Sequence, residues 1–437
     1  MRFPPRTLRP ATSSRRKPDL CVVSLPLIAA AAGWEHALWR GLAFVVGVWL
    51  LWEAIRAAVG VMLVPRPAYT KLAQIVGAVI KWAFGAVAVR SRDYLALDRI
   101  LAAQGPATVL AFLVLFLTIF VVAFALIFYG LDGSDFAEAV ARSGSGMTTL
   151  GFETVKEPAG MIFMFVAAFL GSTIIAVFIG FLLTLYAAYT AREAGVSELS
   201  LLTGEPAWGP EMIVRTRRVH DTPTTGAVEK WITWMCALRI NQYIYPLLNH
   251  FRSPMANRHW ATSLLALLDA TAIRIAALEE ETEPSLVRFL AEGANTMHML
   301  RRSEMARNAP ASDHDDVTAW RFEREILAAD KTPVGDPGIT REEWDAAMKF
   351  LSDNGIQLKA DREAAWKTFA CIRAHYAPPA YYLTNTLFAP PAPWSGPRHA
   401  MKRFISKTMW PQLAAEAGFG SVDSGRGLGS GVAKAGN

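Results

Sequence analysis

The residues best equipped for chemistry lie in the stretch SGSGMTTLGFETV, positions 143–155. Thr148 and Thr149 carry hydroxyls, Gly151 allows backbone angles closed to other residues, and Glu153 adds a carboxylate. This set offers oxygen atoms without a nucleophile–base pair. Oxygens at such close spacing can replace the hydration shell of a cation, with no bond made or broken. Other chemistries find little support. No H-E-x-x-H or G-x-S-x-G string occurs, and Cys21, Cys236 and Cys371 are too scattered for a zinc site or disulfide framework. GRGLGSG (425–431) lacks phosphate-loop spacing and follows no strand. The acidic runs at 279–281 and 313–316 read as solvated helix ends.

What must position the stretch is a pair of apolar segments. Residues 100–131 and 158–191 contain no Asp, Glu, Lys, Arg or His. A bilayer core needs about 20 apolar residues in a helix, and both runs exceed that. Between them, Ser134 can cap a short helix over DFAEAVARSGSGM, with Phe136, Ala139 and Val140 on one side. That helix is too short and polar to span. The order is therefore long helix, short helix, glycine-containing loop, long helix. A short helix aimed inward would direct its partly negative C-terminal end at the membrane centre, a favourable place for a cation. Phe152 could wedge the loop against its supports. An external loop of ordinary turns is the competing reading.

TTLGFE, bracketed in this way, resembles the selectivity filter of the potassium-channel superfamily, whose pattern is Thr-Thr-Val/Ile-Gly-Tyr/Phe-Gly-Asp after a pore helix. The resemblance covers about 107–190. It implies filter carbonyls from Thr149, Leu150, Gly151 and Phe152, with the Thr148 or Thr149 hydroxyl at the innermost site. It implies an inner-helix hinge near Gly171, with Ser172 and Thr173 facing a cavity; for Gly171 and Gly180, close helix packing is an equal reading. Four chains are implied, since one chain supplies one loop. The resemblance further implies passage of a monovalent cation such as potassium, with no other cofactor. The departure is Glu153, where the pattern has its second glycine or, after a deletion, its aspartate. Four carboxylates at one mouth would attract cations generally and divalents especially.

The remaining chain is read as follows. Residues 1–19 form a basic tail with Arg2, Arg6, Arg9, Arg15, Arg16 and Lys17. Residues 20–64 hold a helical hairpin, roughly 20–36 and 41–63, with Glu53 and Arg56 on one face. Residues 65–104 are a basic interfacial segment, whose helix at 71–89 could lie in the membrane surface or span it. The pore module runs over 105–191, a helical cytoplasmic domain over 192–417, and a disordered tail over 418–437. Within the domain, Thr340 to Glu343 fits a capping box with a stop at Gly355, and residues 377–397 form a proline-rich connector with exposed aromatics.

The expected fold is an all-α membrane protein. An even number of spans leaves both termini in the cytoplasm, in a cell membrane (the inner one in a bacterium). Net charge is +6, yet no basic stripe with interleaved aromatics suggests nucleic acid. The expected partners are the lipid bilayer and three further copies, and no motif names a regulatory ligand. A non-conducting membrane sensor or scaffold, working through its helical domain, is the alternative.

Overall fold

A computed structural model describes residues 25–63, 71–88, 90–91, 93–133, 135–153, 155, 157–218, 225–280, 283–306 and 336–397. Among these the secondary structure is helical, with no strand: α1 (Leu25–Met62), α2 (Lys71–Ala88), α3 (Tyr94–Ala102), α4 (Gln104–Asp132), α5 (Phe136–Met147), α6 (Pro158–Thr203), α7 (Gly209–Arg218), α8 (Thr225–Ile244), α9 (Trp260–Ala277), α10 (Pro284–Ala306), α11 (Arg341–Asp353), α12 (Arg362–Ala374) and α13 (Ala377–Thr386). The basic tail, Ser134, residues 313–316 and the tail from 418 lie outside the described residues.

Four helical segments are long and apolar enough to cross a membrane: His36–Met62, Tyr94–Asp132, Pro158–Thr203 and Trp260–Ala277. Burial separates them. The first three windows are 28%, 39% and 22% buried, leaving apolar side chains facing outward, whereas the fourth is 94% buried. A helix wrapped by protein has no face left for lipid. Trp260–Ala277 is therefore a core helix, and α1, α4 and α6 are the membrane candidates. At 1.5 Å per residue, α6 runs about 69 Å, more than twice a hydrocarbon core of about 30 Å.

The chain forms two compact units. One takes α1 to Glu53 with residues 118–172. Here α1 packs antiparallel to α4 through glycine. A methyl at Gly47 would come within 2.9 Å of the Ala123 carbonyl oxygen, and one at Gly130 within 2.8 Å of Arg40 O. Arg40 also donates to Leu131 O at 2.8 Å. The expected hairpin at 20–36 and 41–63 is not formed, because α1 continues through the proposed break. Neither proline nor a polar run interrupts the helix between 27 and 62.

The other unit contains residues 54–117 and everything from Thr173 onward. Its core surrounds α9, with Trp208, Trp344, Trp394 and Phe369 packed ring against ring. At its centre Arg373 meets Asp269 at 2.9 Å, both side chains wholly buried. Tyr376 donates to the same carboxylate at 2.9 Å. Burial, then the Asp269 charge, holds the Tyr376 phenol well above its usual range, so it stays a donor. The capping box of Thr340 and Glu343 forms as read, with Gly355 at φ +78° beyond the helix end. The proline-rich connector is corrected: residues 377–386 are helical, with a proline in the first turn, and Trp394 is fully buried.

Candidate functional site

The stretch between α4 and α6 folds back along both. Ser143 on α5 donates to the Val121 carbonyl at 2.7 Å, about 16 Å of helix before the end of α4. The C-terminal end of α5 meets α6 at Gly171, about 20 Å of helix beyond Pro158. A methyl on Gly171 would overlap the Met147 carbonyl oxygen and lie 2.9 Å from its carbon. Val155 then packs against Gly160, at the start of α6. The segment thus descends along the pair and returns within ten residues or so of loop.

Amphipathicity explains why α5 beds this way. Its buried residues are Met147 and four small enough for close approach, Ala139, Ser143, Ser145 and Gly146. Gly146 abuts Met164 and Ala167 of α6. Ser134, expected as cap, lies outside the described residues, and Asp135 occupies the N-cap position. Arg142 pairs with Asp132 at 2.5 Å and with Glu138, neutralising acids at the start of the segment.

Beyond α5 the backbone turns left-handed at alternate residues: Thr149 has φ +56° and Gly151 φ +73°. Positive φ is uncommon for a β-branched residue and stores about 1–3 kcal/mol of strain. Hydrogen bonds hold it. Thr148, Thr149 and Leu150 donate their N–H groups to Gly144, Gly146 and Ser145 carbonyls at 3.0–3.1 Å. The Glu153 N–H donates to Ser145 Oγ at 3.1 Å. Ser145 therefore ties down both ends of the loop. The opposite edge is free: among the described residues, the carbonyls of Thr149, Leu150, Gly151 and Phe152 accept no hydrogen bond. Residues 148–152 are exposed, Leu150 by 71%.

The sequence-derived residues divide into two sets. Thr148 to Glu153 lie together on the loop, with the Thr148 hydroxyl donating to Gly144 O at 2.6 Å and that of Thr149 to Thr148 O at 2.7 Å. Phe152 is 63% exposed and does not wedge the loop. Gly171 is a packing contact within a continuous helix, whereas Gly180 meets nothing within 4 Å. Ser172 is exposed, its hydroxyl turned back on Ala168 and Phe169 carbonyls at 3.0 Å, and Thr173 is half-buried. Sequence reasoning missed Ser143 and Ser145. The period Ala139, Ser143, Gly146 on one helical face was the available signal for the first.

Comparison of the chain with protein-family models, curated protein sequences and solved structures finds no match to any.

Proposed function

We propose that this chain is one subunit of a cation channel whose filter is the loop 148–153, formed by four copies, as in the potassium channels it resembles. The observation that carries this is the loop's two-sidedness. The N–H groups of Thr148, Thr149, Leu150 and Glu153 are tied to α5, while residues 149–152 are exposed and their carbonyls accept no hydrogen bond among the described residues. Such carbonyls in a membrane need water, an ion or another chain. With α4 and α6 spanning, a descent of about 16–20 Å puts the loop near mid-depth of a core of about 30 Å. Four loops around one axis would supply the missing ligands, and Glu153 would ring the outer mouth. Phe165, Phe169, Ile175, Ile179 and Leu183 of α6 are exposed in one chain and offer surface for both neighbours and lipid.

The topology follows from helix count. With α1, α4 and α6 crossing, the number of spans is odd, so the first residues of α1 and the helical region after α6 face opposite compartments. An odd count differs from the even number expected from the sequence, which puts both termini in the cytoplasm. Single cysteines at His36 and Arg362 should react with an impermeant maleimide from opposite sides of sealed vesicles.

The deciding experiment is flux of potassium, sodium and calcium through purified protein in liposomes. Wild-type flux that Gly151→Ala abolishes supports the channel. No flux of any cation by an assembled tetramer overturns it in favour of a non-conducting sensor. Glu153→Gln tests the carboxylate ring separately: unchanged calcium block or permeation would remove that role from Glu153 alone.

A further inference from the structure

Outside the loop, the least usual surface is on α2. The exposed residues of its described face are Ile75, Ala78, Val79, Trp82, Ala83 and Val87, all apolar, with Trp82 75% exposed. They recur at three- and four-residue spacing, so they form one stripe. A helix at a water-exposed surface has this pattern reversed. The opposite face is engaged: Phe84 and Ala88 pack with Tyr94, Leu97 and Leu101 of α3, and Lys81 binds Glu304 of α10 at 3.2 Å. The Glu304 side chain is nearly fully buried and also accepts from Asn249 at 3.0 Å.

The chain's own connections fix what lies over the stripe. α1 ends at Met62, which packs beside Val109 of α4 and Leu185 of α6. α2 starts nine residues later at Lys71, and α3 leads within two residues into α4. With α1 and α4 spanning, the helix would sit where both leave the bilayer, on the side of the helical region. Arg90, two residues beyond α2, and Arg99, in the last turn of α3, are both exposed cations. Apolar side chains with an outward tryptophan and exposed cations match the boundary between headgroups and acyl chains of an anionic leaflet.

We infer that α2 lies flat in an anionic lipid surface, with Ile75, Val79, Trp82 and Val87 among the acyl chains and Lys81 turned away to hold Glu304 of α10. One helix then anchors the helical region to the membrane independently of the loop 148–153. The inference needs the spanning role of α1 and α4 but not ion conduction, so it survives failure of the flux experiment.

The test uses full-length protein in liposomes with a nitroxide label at Val79→Cys, Trp82→Cys or Val87→Cys, in a Cys21→Ser, Cys236→Ser background. These sites are exposed, so labelling leaves the core intact. The expected result is ready collision with oxygen, exclusion of a water-soluble nickel chelate, and a depth of about 5–10 Å below the headgroups. Arg99→Cys, as control, should admit nickel. Nickel access at 79, 82 and 87 would overturn the inference, as would exclusion of both reagents, which marks a protein cover such as a second copy. Labels should move deeper when phosphatidylglycerol is added to phosphatidylcholine, and Arg90→Gln with Arg99→Gln should cancel the shift. A depth indifferent to phosphatidylglycerol would overturn the anionic preference.

Discussion

Two glycines on one helix give opposite forecasts. A methyl at Gly171 would overlap the Met147 carbonyl oxygen and stand 2.9 and 3.0 Å from its carbonyl carbon and Cα. Ordinary contact begins at 3.4 Å, so α5 and α6 must separate by about half an ångström for the carbon and more for the oxygen. Both partners are backbone, so no side chain can rotate away. Overpacking of this kind costs about 1–3 kcal/mol, and the upper end applies here. Alanine's better helix propensity returns about 1 kcal/mol, leaving Gly171→Ala about 2 kcal/mol less stable. At Gly180 nothing lies within 4 Å, so Gly180→Ala keeps the propensity gain and should be neutral to about 1 kcal/mol more stable. The assay is thermal unfolding of both variants in one detergent, with loop integrity followed by proteolysis between α5 and α6. Gly171→Ala should lower the transition and expose the loop, while Gly180→Ala does neither. Equal behaviour would refute the packing argument and restore Gly171 as a hinge.

Three further outcomes follow from buried groups. Arg373→Met strands the Asp269 carboxylate in the core and should cost about 3–5 kcal/mol in denaturant unfolding; adding Asp269→Leu should recover part of that. Burial first, then the charges of Arg252 and Arg192, hold His259 well below its usual pKa of about 6.5, leaving Nδ1 to accept the Ala261 N–H at 3.2 Å and cap α9. The unfolded chain takes up that proton first. Stability should therefore fall as pH drops below about 6.5, by up to about 1.4 kcal/mol per unit, and His259→Asn should keep the cap and flatten that slope. Ser145→Ala removes the acceptor of the Glu153 N–H, costing about 0.5–1.5 kcal/mol locally, and should broaden cation selectivity in the liposome assay without changing tetramer yield.

The parts of this protein that the sequence declared are those governed by neighbours along the chain. Two uncharged apolar runs announce α4 and α6, because span length is a property of composition. Thr340, Glu343 and Gly355 bound α11, because capping acts over four residues. TTLGFE marked its loop because positive φ at Gly151 is a local demand. Tertiary structure decided the rest. Trp260–Ala277 has the composition of a span, and only its enclosure by α7, α10, α12 and α13 makes it a core. Residues 377–397 looked like an exposed linker until Trp394 closed the aromatic cluster. Gly171 could serve as hinge or contact equally well in the sequence. The Met147 carbonyl, 24 positions earlier, makes it a contact, since glycine's meaning depends on what occupies the space its side chain leaves.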